Sequence, residues 1–181
     1  MKVDSAVRES MLAAVPGLRA FAMSLCGKID HADDLVQETL LRALTNIDSF
    51  EPGTNMSAWL FTILRNQFRS EYRKRRREVE DADGLYAGRL TSLPEQTNRL
   101  EINEVRQALT FLPPEQCESL ILVGASGFSY EEAAQICGCA IGTTKSRVHR
   151  ARMRLAEILS IKDANDFGPD HETRAVINAS P

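Results

Sequence analysis

A short run of basic residues near the end of the chain has the composition of a DNA-binding helix. Residues 145–154 carry five basic residues, from Lys145 to Arg154, and no acid. At about 100° per residue, His149 and Arg150 fall on the side opposite Val148. One face can therefore pack against the protein while the other approaches base edges in a DNA major groove.

The residues before this run supply the first half of a helix-turn-helix. Ser129 followed by Glu132 is a capping-box pattern, which predicts the start of a helix. Gly138 permits the left-handed backbone that ends it, and a second helix can start after Gly142. An ordinary amphipathic helix with a solvated basic face would also explain the charges. The ordered combination of cap, glycine turn and basic helix favours DNA binding.

A second basic segment lies earlier and is accompanied by aromatic residues. Residues 65–77 contain seven basic residues and one acid, Glu71. Trp59 and Tyr72 lie in or beside it, and aromatic faces next to basic groups suit unpaired bases. Trp59 could equally anchor a core. The net charge of −3 does not exclude nucleic acid, because attraction to phosphate acts locally, over about 8–10 Å.

Composition and periodicity predict an all-α protein with two small helical domains joined by a flexible linker, the second containing the helix-turn-helix. Apolar residues recur at intervals of three and four rather than alternating. The expected domains are residues 1–77 and 100–160, with a linker over 78–99 and a disordered tail over 161–181. An acidic linker and tail beside two basic surfaces further predict that the domains shield each other in the free protein.

Glycine, proline and capping residues predict where individual helices begin and end. Gly27 should end a first helix over residues 5–26, which Pro16 should bend or divide. Further helices are expected over 32–47, over 58–75 with Ser57 as the cap, from about residue 100 to the pair Pro113-Pro114, and over 115–124. The last of these should bury Cys117, Leu120, Ile121 and Val123.

The residues give no indication of catalysis, metal binding or a cofactor. The four cysteines, Cys26, Cys117, Cys137 and Cys139, lack the spacing of a zinc site or a disulfide framework. Neither Cys26 nor Cys117 with His149 has an accompanying base and orienting acid. Without a signal peptide or an apolar run of membrane-spanning length, the protein is expected to be cytoplasmic and to contact no membrane. Since no heptad seam for a dimer is present, we expect a monomer when free.

With these segments placed, the order of the chain resembles that of a bacterial sigma factor of the extracytoplasmic-function type. Four segments carry the resemblance: HADDLVQET at 31–39, AWLFTILRN at 58–66, LPPEQCESLIL at 112–122 and GTTKSRVHRAR at 142–152. The segment LILVGASGFSYEEAAQICGC at 120–139 is similar to the general-stress-response subgroup, which an anti-sigma factor sequesters and a response-regulator mimic of the sigma factor releases. Thr144 stands where the family usually has an apolar residue, which predicts looser packing of the recognition helix.

The resemblance implies partners and roles for particular residues. The partners are core RNA polymerase, promoter DNA and an anti-sigma factor. Docking on the clamp helices of the largest polymerase subunit is implied for Asp33, Asp34, Leu35, Gln37 and Glu38. Recognition and melting of the minus-ten element are implied for Asn55, Met56, Trp59, Asn66, Arg69, Ser70 and Arg73. Recognition of the minus-thirty-five element is assigned to Thr143, Lys145, Ser146, Arg147, His149 and Arg150.

Before the resemblance is considered, the acids at residues 33–38 have two explanations: favourable placement near a helix start or a surface for a partner.

A stand-alone helix-turn-helix transcriptional regulator is the alternative function for the whole chain. That alternative leaves the first domain unexplained.

Overall fold

The computed structural model describes residues 4–80 and 99–160, and these form α-helices with no strand among them. The predicted all-α class is confirmed. The chain divides into two compact units, Met1–Leu93 and Pro94–Pro181. The helices are α1 (Ser5–Cys26), α2 (Ile29–Thr45), α3 (Met56–Glu80), α4 (Arg99–Thr110), α5 (Pro114–Gly124), α6 (Tyr130–Cys137) and α7 (Ile141–Ile158), and a 3-10 turn lies at Ile47–Ser49.

In the first unit, α1, α2 and α3 pack against one another in all three pairs. The centre of this core is fully buried: Leu18, Phe21, Leu35, Leu60 and Leu64. The rings of Phe21 and Phe61 stack with centroids 5.1 Å apart. Burying an aliphatic or phenyl side chain of this size contributes about 1.5–3 kcal/mol relative to exposure, so α1 and α2 form a firm base for α3.

The helix α1 ends as predicted but is not divided. Gly27 adopts φ 67° and its N–H donates to the Met23 carbonyl, which ends the helix. Pro16 lies inside a continuous 22-residue helix. Proline removes the N–H that would bond the carbonyl four residues earlier. Because Pro16 and Leu12 both lie on the exposed side of α1, water can satisfy that carbonyl without a break.

In the second unit, α5 packs mainly on α7, and α6 packs on both. Leu122, Ile136 and Val148 are fully buried. The prediction of which side chains α5 buries is only partly right, because Leu120, Ile121 and Val123 are half-buried. The fully buried positions of α5 include Glu118 and Ser119 as well as Leu122. A helix covered by two neighbours is buried over a wider arc than one apolar stripe.

Helix α3 runs to Glu80, into the segment predicted as a linker. Residues 81–98 and the tail over 161–181 lie outside the described residues, as does the predicted shielding that depends on them. Across residues 4–80 and 99–160, none of the helices is long and apolar enough to cross a membrane.

Candidate nucleic-acid interfaces and docking surface

The helix-turn-helix has the caps that the sequence predicts. The Glu132 N–H donates to Ser129 Oγ at 3.1 Å, and the Ser129 N–H donates to Glu132 Oε2 at 2.9 Å. Gly138 adopts φ 61° and ends α6. Helix α7 then begins at Ile141, slightly earlier than predicted. The turn between the helices is therefore short and defined at both ends by backbone hydrogen bonds.

Helix α7 has one packed face and one exposed face. The packed face is completely or nearly completely buried: Thr144, Val148, Ala151 and Leu155. The opposite side presents His149 and Arg150 to solvent, with Thr143 exposed about two turns earlier. This division confirms the predicted rotation of the helix. Ser146 is half-buried, and its hydroxyl donates to the Thr143 carbonyl at 2.9 Å.

Thr144 does not loosen the packing of α7, contrary to the prediction. It has no exposed surface. Its Oγ1 lies 3.3 Å from Cys139 Sγ, so the buried hydroxyl has a hydrogen-bond partner. A satisfied hydroxyl in a closed site avoids the desolvation cost of an unpaired polar group.

Two basic side chains at the flanks of α7 are held by residues outside the helix. Lys145 Nζ lies 5.4 Å from the centroid of the Tyr130 ring, within range of a cation–π interaction. Arg147 Nη1 donates to Cys139 Sγ at 3.6 Å. Both are half-buried. Neither contact follows from helical periodicity, because each joins α7 to a residue outside that helix.

At the start of α3, Asn55 rather than Ser57 caps the helix. Asn55 Oδ1 accepts a hydrogen bond from the Ala58 N–H at 3.2 Å. Trp59 is half-buried, and its ring lies 5.3 Å from that of Phe50 in the preceding loop. The tryptophan thus both packs against the loop and keeps exposed surface.

The remaining predicted contact residues of α3 share one face. At about 100° per residue, Asn66, Arg69, Ser70 and Arg73 fall within an arc of roughly 100° that also includes Trp59. Asn66, Ser70 and Arg73 are exposed, and Arg69 is half-buried. The arrangement is a polar and basic strip with an aromatic ring at one end.

Two expectations for residues of α3 need correction. Met56 is only 7% exposed and lies in the core, so its side chain is not available to DNA as the structure stands. Arg65 is 5% exposed, although the charge count placed it in the basic surface. Both side chains are buried, as Leu60 and Leu64 are, so packing against neighbouring helices overrides residue type.

The predicted docking residues of α2 divide into three kinds. Asp34 and Gln37 are exposed. Asp33 receives two hydrogen bonds from Arg19, at 2.6 and 2.8 Å, and Glu38 is paired with Arg42 at 2.8 Å. Leu35 is 1% exposed and belongs to the core, so its predicted direct contact is corrected to a packing role on the apolar stripe of α2.

The cysteines are thiols in different surroundings. Burial raises the pKa of the Cys117 thiol to about 12, and the neighbouring Glu118 carboxylate adds to the rise. Burial also raises the pKa of Cys26, and this effect outweighs the lowering by a backbone hydrogen bond with Lys28. Within the described ranges, no group of three or more histidine, cysteine or acidic side chains is arranged to hold a metal ion.

The two halves of the chain match two known families. Residues 12–78 match Sigma-70 region 2, and residues 102–155 match Sigma-70, region 4. The ECF RNA polymerase sigma factor EcfG of Rhodopseudomonas palustris (strain TIE-1) is 66% identical over 180 residues, covering 99% of each chain.

Solved structures of sigma factors share the fold. The sigma factor RpoE in complex with the anti-sigma factor NepR, from Bartonella quintana, has a TM-score of 0.81 and 52% identity, covering 88% of this chain and 100% of that one. CnrH in complex with the cytosolic domain of CnrY has a TM-score of 0.66 and 26% identity, covering 87% and 90%.

The chain therefore belongs to the extracytoplasmic-function family of RNA polymerase sigma factors. It is a homologue of the Rhodopseudomonas palustris factor EcfG. The predicted family is confirmed. A stand-alone helix-turn-helix regulator is excluded, since the first unit is a sigma region 2.

Proposed function

We propose that this sigma factor docks on core RNA polymerase through α2, opens the minus-ten element with α3 and reads the minus-thirty-five element with α7. The observation that carries the proposal is the one-sided strip of α3, in which Trp59 and exposed polar and basic residues share a face. Such a strip can hold unpaired bases by stacking while its charges bind phosphate. The two DNA surfaces lie in separate units, Met1–Leu93 and Pro94–Pro181, as expected of a factor that contacts two promoter elements.

The docking surface is centred on Asp34 and Gln37, which point to solvent. Asp33 and Glu38 contribute mainly by shaping this surface, because their carboxylates are already paired with Arg19 and Arg42. A surface built this way presents few free charges, and each free charge then matters for specificity and association rate.

Promoter opening by this chain requires no catalytic group. An unpaired base bound in a protein pocket offsets the few kcal/mol that unstacking costs. The protein accordingly acts by binding, without enzyme activity of its own and without a metal or cofactor. Its place of action is the cytoplasm, where polymerase and promoter DNA are found.

An anti-sigma factor is the second protein partner in this proposal, and a general stress response is the setting. The support is that RpoE was solved in complex with the anti-sigma factor NepR, and CnrH in complex with the cytosolic domain of CnrY. In this proposal the chain is a monomer until one of its two protein partners binds.

The test is reconstituted transcription with core polymerase on a panel of duplex promoters. The chain should direct start-site-specific transcripts, and adding the anti-sigma factor NepR should suppress them. The variant Arg154→Ala should direct the same transcripts as the unmodified chain, because Arg154 is paired with Glu157 within α7 and is not assigned to DNA. Failure to bind core polymerase, or DNA binding that is equally strong without it, would contradict the proposal.

A further inference from the structure

A histidine at the start of α2 is joined to the middle of α3. His31 Nε2 lies 2.9 Å from Glu71 Oε2. In the tautomer with the proton on Nε2, the imidazole donates a hydrogen bond to the Glu71 carboxylate. Arg75 Nη2 lies 3.5 Å from the same imidazole nitrogen. The side chains of His31 and Glu71 are 20% and 36% exposed, so the pair is partly shielded from water.

The contact lies on the back of α3 relative to its proposed DNA face. Gln67, Glu71 and Arg75 recur at intervals of four residues and form one line along the helix. Gln67 is buried, and its Nε2 donates to Glu71 Oε1 at 3.4 Å. By helical geometry this line lies roughly 120–200° around the axis from Arg73. A contact that fixes this line of residues therefore also fixes the direction in which the proposed DNA-facing strip points.

The later part of α3 depends on such polar contacts. Its apolar core contacts end early: the buried residues are Met56, Leu60, Phe61, Leu64, Arg65 and Gln67. Beyond Phe68 none of the described side chains of α3 is buried. Ser70 and Arg73 therefore lie on a stretch of helix that the hydrophobic core does not hold directly.

We propose that His31 is a positioning residue for promoter opening, which orients the DNA-facing strip of α3 by its hydrogen bond to Glu71. His31 lies in the first turn of α2, the helix that also carries Asp34 and Gln37. The contact thus ties the orientation of the DNA strip to the helix that docks on polymerase. This inference rests on the proposed function of α2 and α3 and adds a residue that touches neither DNA nor polymerase.

The test compares His31→Leu, which removes the donor, with His31→Gln, whose amide can still donate to Glu71. Transcription from a duplex promoter should fall about two- to fivefold in His31→Leu, the range expected for one partly exposed charged hydrogen bond. His31→Gln should restore most of this loss. Affinity for core polymerase and transcription from a template already open around the start site should change little in either variant.

A double-mutant cycle with Glu71→Gln separates positioning from general damage. The double variant His31→Leu with Glu71→Gln should be no worse than the poorer single variant, since the two side chains act as one contact. Glu9→Gln removes another exposed hydrogen-bonded carboxylate in the same unit, bonded to Ser5, and should leave transcription unchanged.

Three results would overturn the inference: independent effects of the two substitutions, equal loss on open and duplex templates, or a parallel loss of core binding. Failure of the proposed function is distinguishable, because then the unmodified chain would not direct duplex transcription at all.

Discussion

Residues with the same charge on one proposed surface differ in role, because their neighbours differ. On α2, Asp33 is held by Arg19 whereas Asp34 is exposed. On α7, Lys145 lies over Tyr130 whereas Arg150 is exposed on the face opposite the core. A side chain that is held in place contributes a fixed charge, and a free one can form directed hydrogen bonds to a partner. Substitutions at the two kinds of position should therefore differ in kind as well as size.

Arg150→Ala and Lys145→Ala should separate reading from positioning on α7. An arginine on a guanine edge discriminates by about 1–3 kcal/mol, so Arg150→Ala should relax preference at one or two base pairs. Lys145 is expected near phosphate, so Lys145→Ala should lower affinity evenly across sequences and reduce the salt slope by roughly one unit. The measurement is affinity for single-base variants of the minus-thirty-five element at several salt concentrations.

The paired residue Arg154 supplies the control for this comparison. Arg154→Ala removes an equal charge from the same helix but from a side chain bonded to Glu157 at 2.9 Å, and should preserve base preference. An even loss of affinity for every sequence in Arg150→Ala would mean that the reading face of α7 is assigned wrongly.

Cys117 should make the second unit less stable in alkali. Its folded pKa of about 12 lies above its ordinary value of 9.0, so folding favours the neutral thiol. This stabilisation is complete below about pH 9 and is lost as pH rises toward 12. Between pH 9 and 10.5 the unmodified chain should lose roughly 1–2 kcal/mol more than Cys117→Ala, following about 1.4 kcal/mol per pH unit.

Denaturant unfolding at each pH provides the measurement for Cys117. The alanine variant is expected to start less stable because of the small cavity it leaves, and only its pH dependence matters. Parallel pH profiles for the two proteins would show that the thiol is not kept neutral by folding.

At the scale of an element, α3 combines a structural cap and a proposed base contact in one residue. Asn55 accepts the Ala58 N–H through its side-chain oxygen, and the family resemblance also implies a minus-ten contact for this exposed residue. Replacement by alanine removes both functions. A simple loss of activity in Asn55→Ala would therefore not identify the cause.

Asn55→Asp should keep the cap while removing the amide donor. Asparagine and aspartate cap helices about equally well, and alanine costs about 1 kcal/mol. Both variants should transcribe poorly from duplex promoters, but only Asn55→Ala should lose thermal stability. Full duplex activity in Asn55→Asp would show that Asn55 serves only as a cap. Transcription by Asn55→Asp should recover on premelted templates, which are included in the measurement.

At the scale of the molecule, the division into two units lets polymerase docking be altered without altering the helix-turn-helix. Asp34→Lys reverses an exposed charge on α2 and should weaken binding to core polymerase while leaving helix content nearly unchanged. Binding of minus-thirty-five DNA by the free chain should not decrease. The measurements are core affinity, circular dichroism and DNA affinity on one preparation.

Asp33→Asn provides the comparison for docking. It breaks the paired interaction with Arg19 and should lower stability by up to about 1 kcal/mol, since both side chains are partly exposed. It should affect core binding less than Asp34→Lys does. The reverse order of core affinities would move the docking surface toward Asp33 and reject the assignment of Asp34.

Local features of the sequence were sufficient to predict several helix ends and the faces of α7. The glycine that ends α1, the capping box of α6 and the packed line of Val148, Ala151 and Leu155 depend on residues within a few positions of one another. Backbone conformation and helical periodicity act over that range, so no tertiary information was required. The motifs that identified the family are likewise contiguous segments.

Only the tertiary structure decided which charged and polar side chains are free. Arg65 and Met56 are buried because α3 turns them toward its neighbours. Asp33 is engaged by a residue 14 positions away, and His31 by one 40 positions away. Charge counting treats every such residue as available, since it carries no information about what packs against it. Burial and ion pairing depend on contacts between distant segments, and these exist only once the three helices of the first unit have packed.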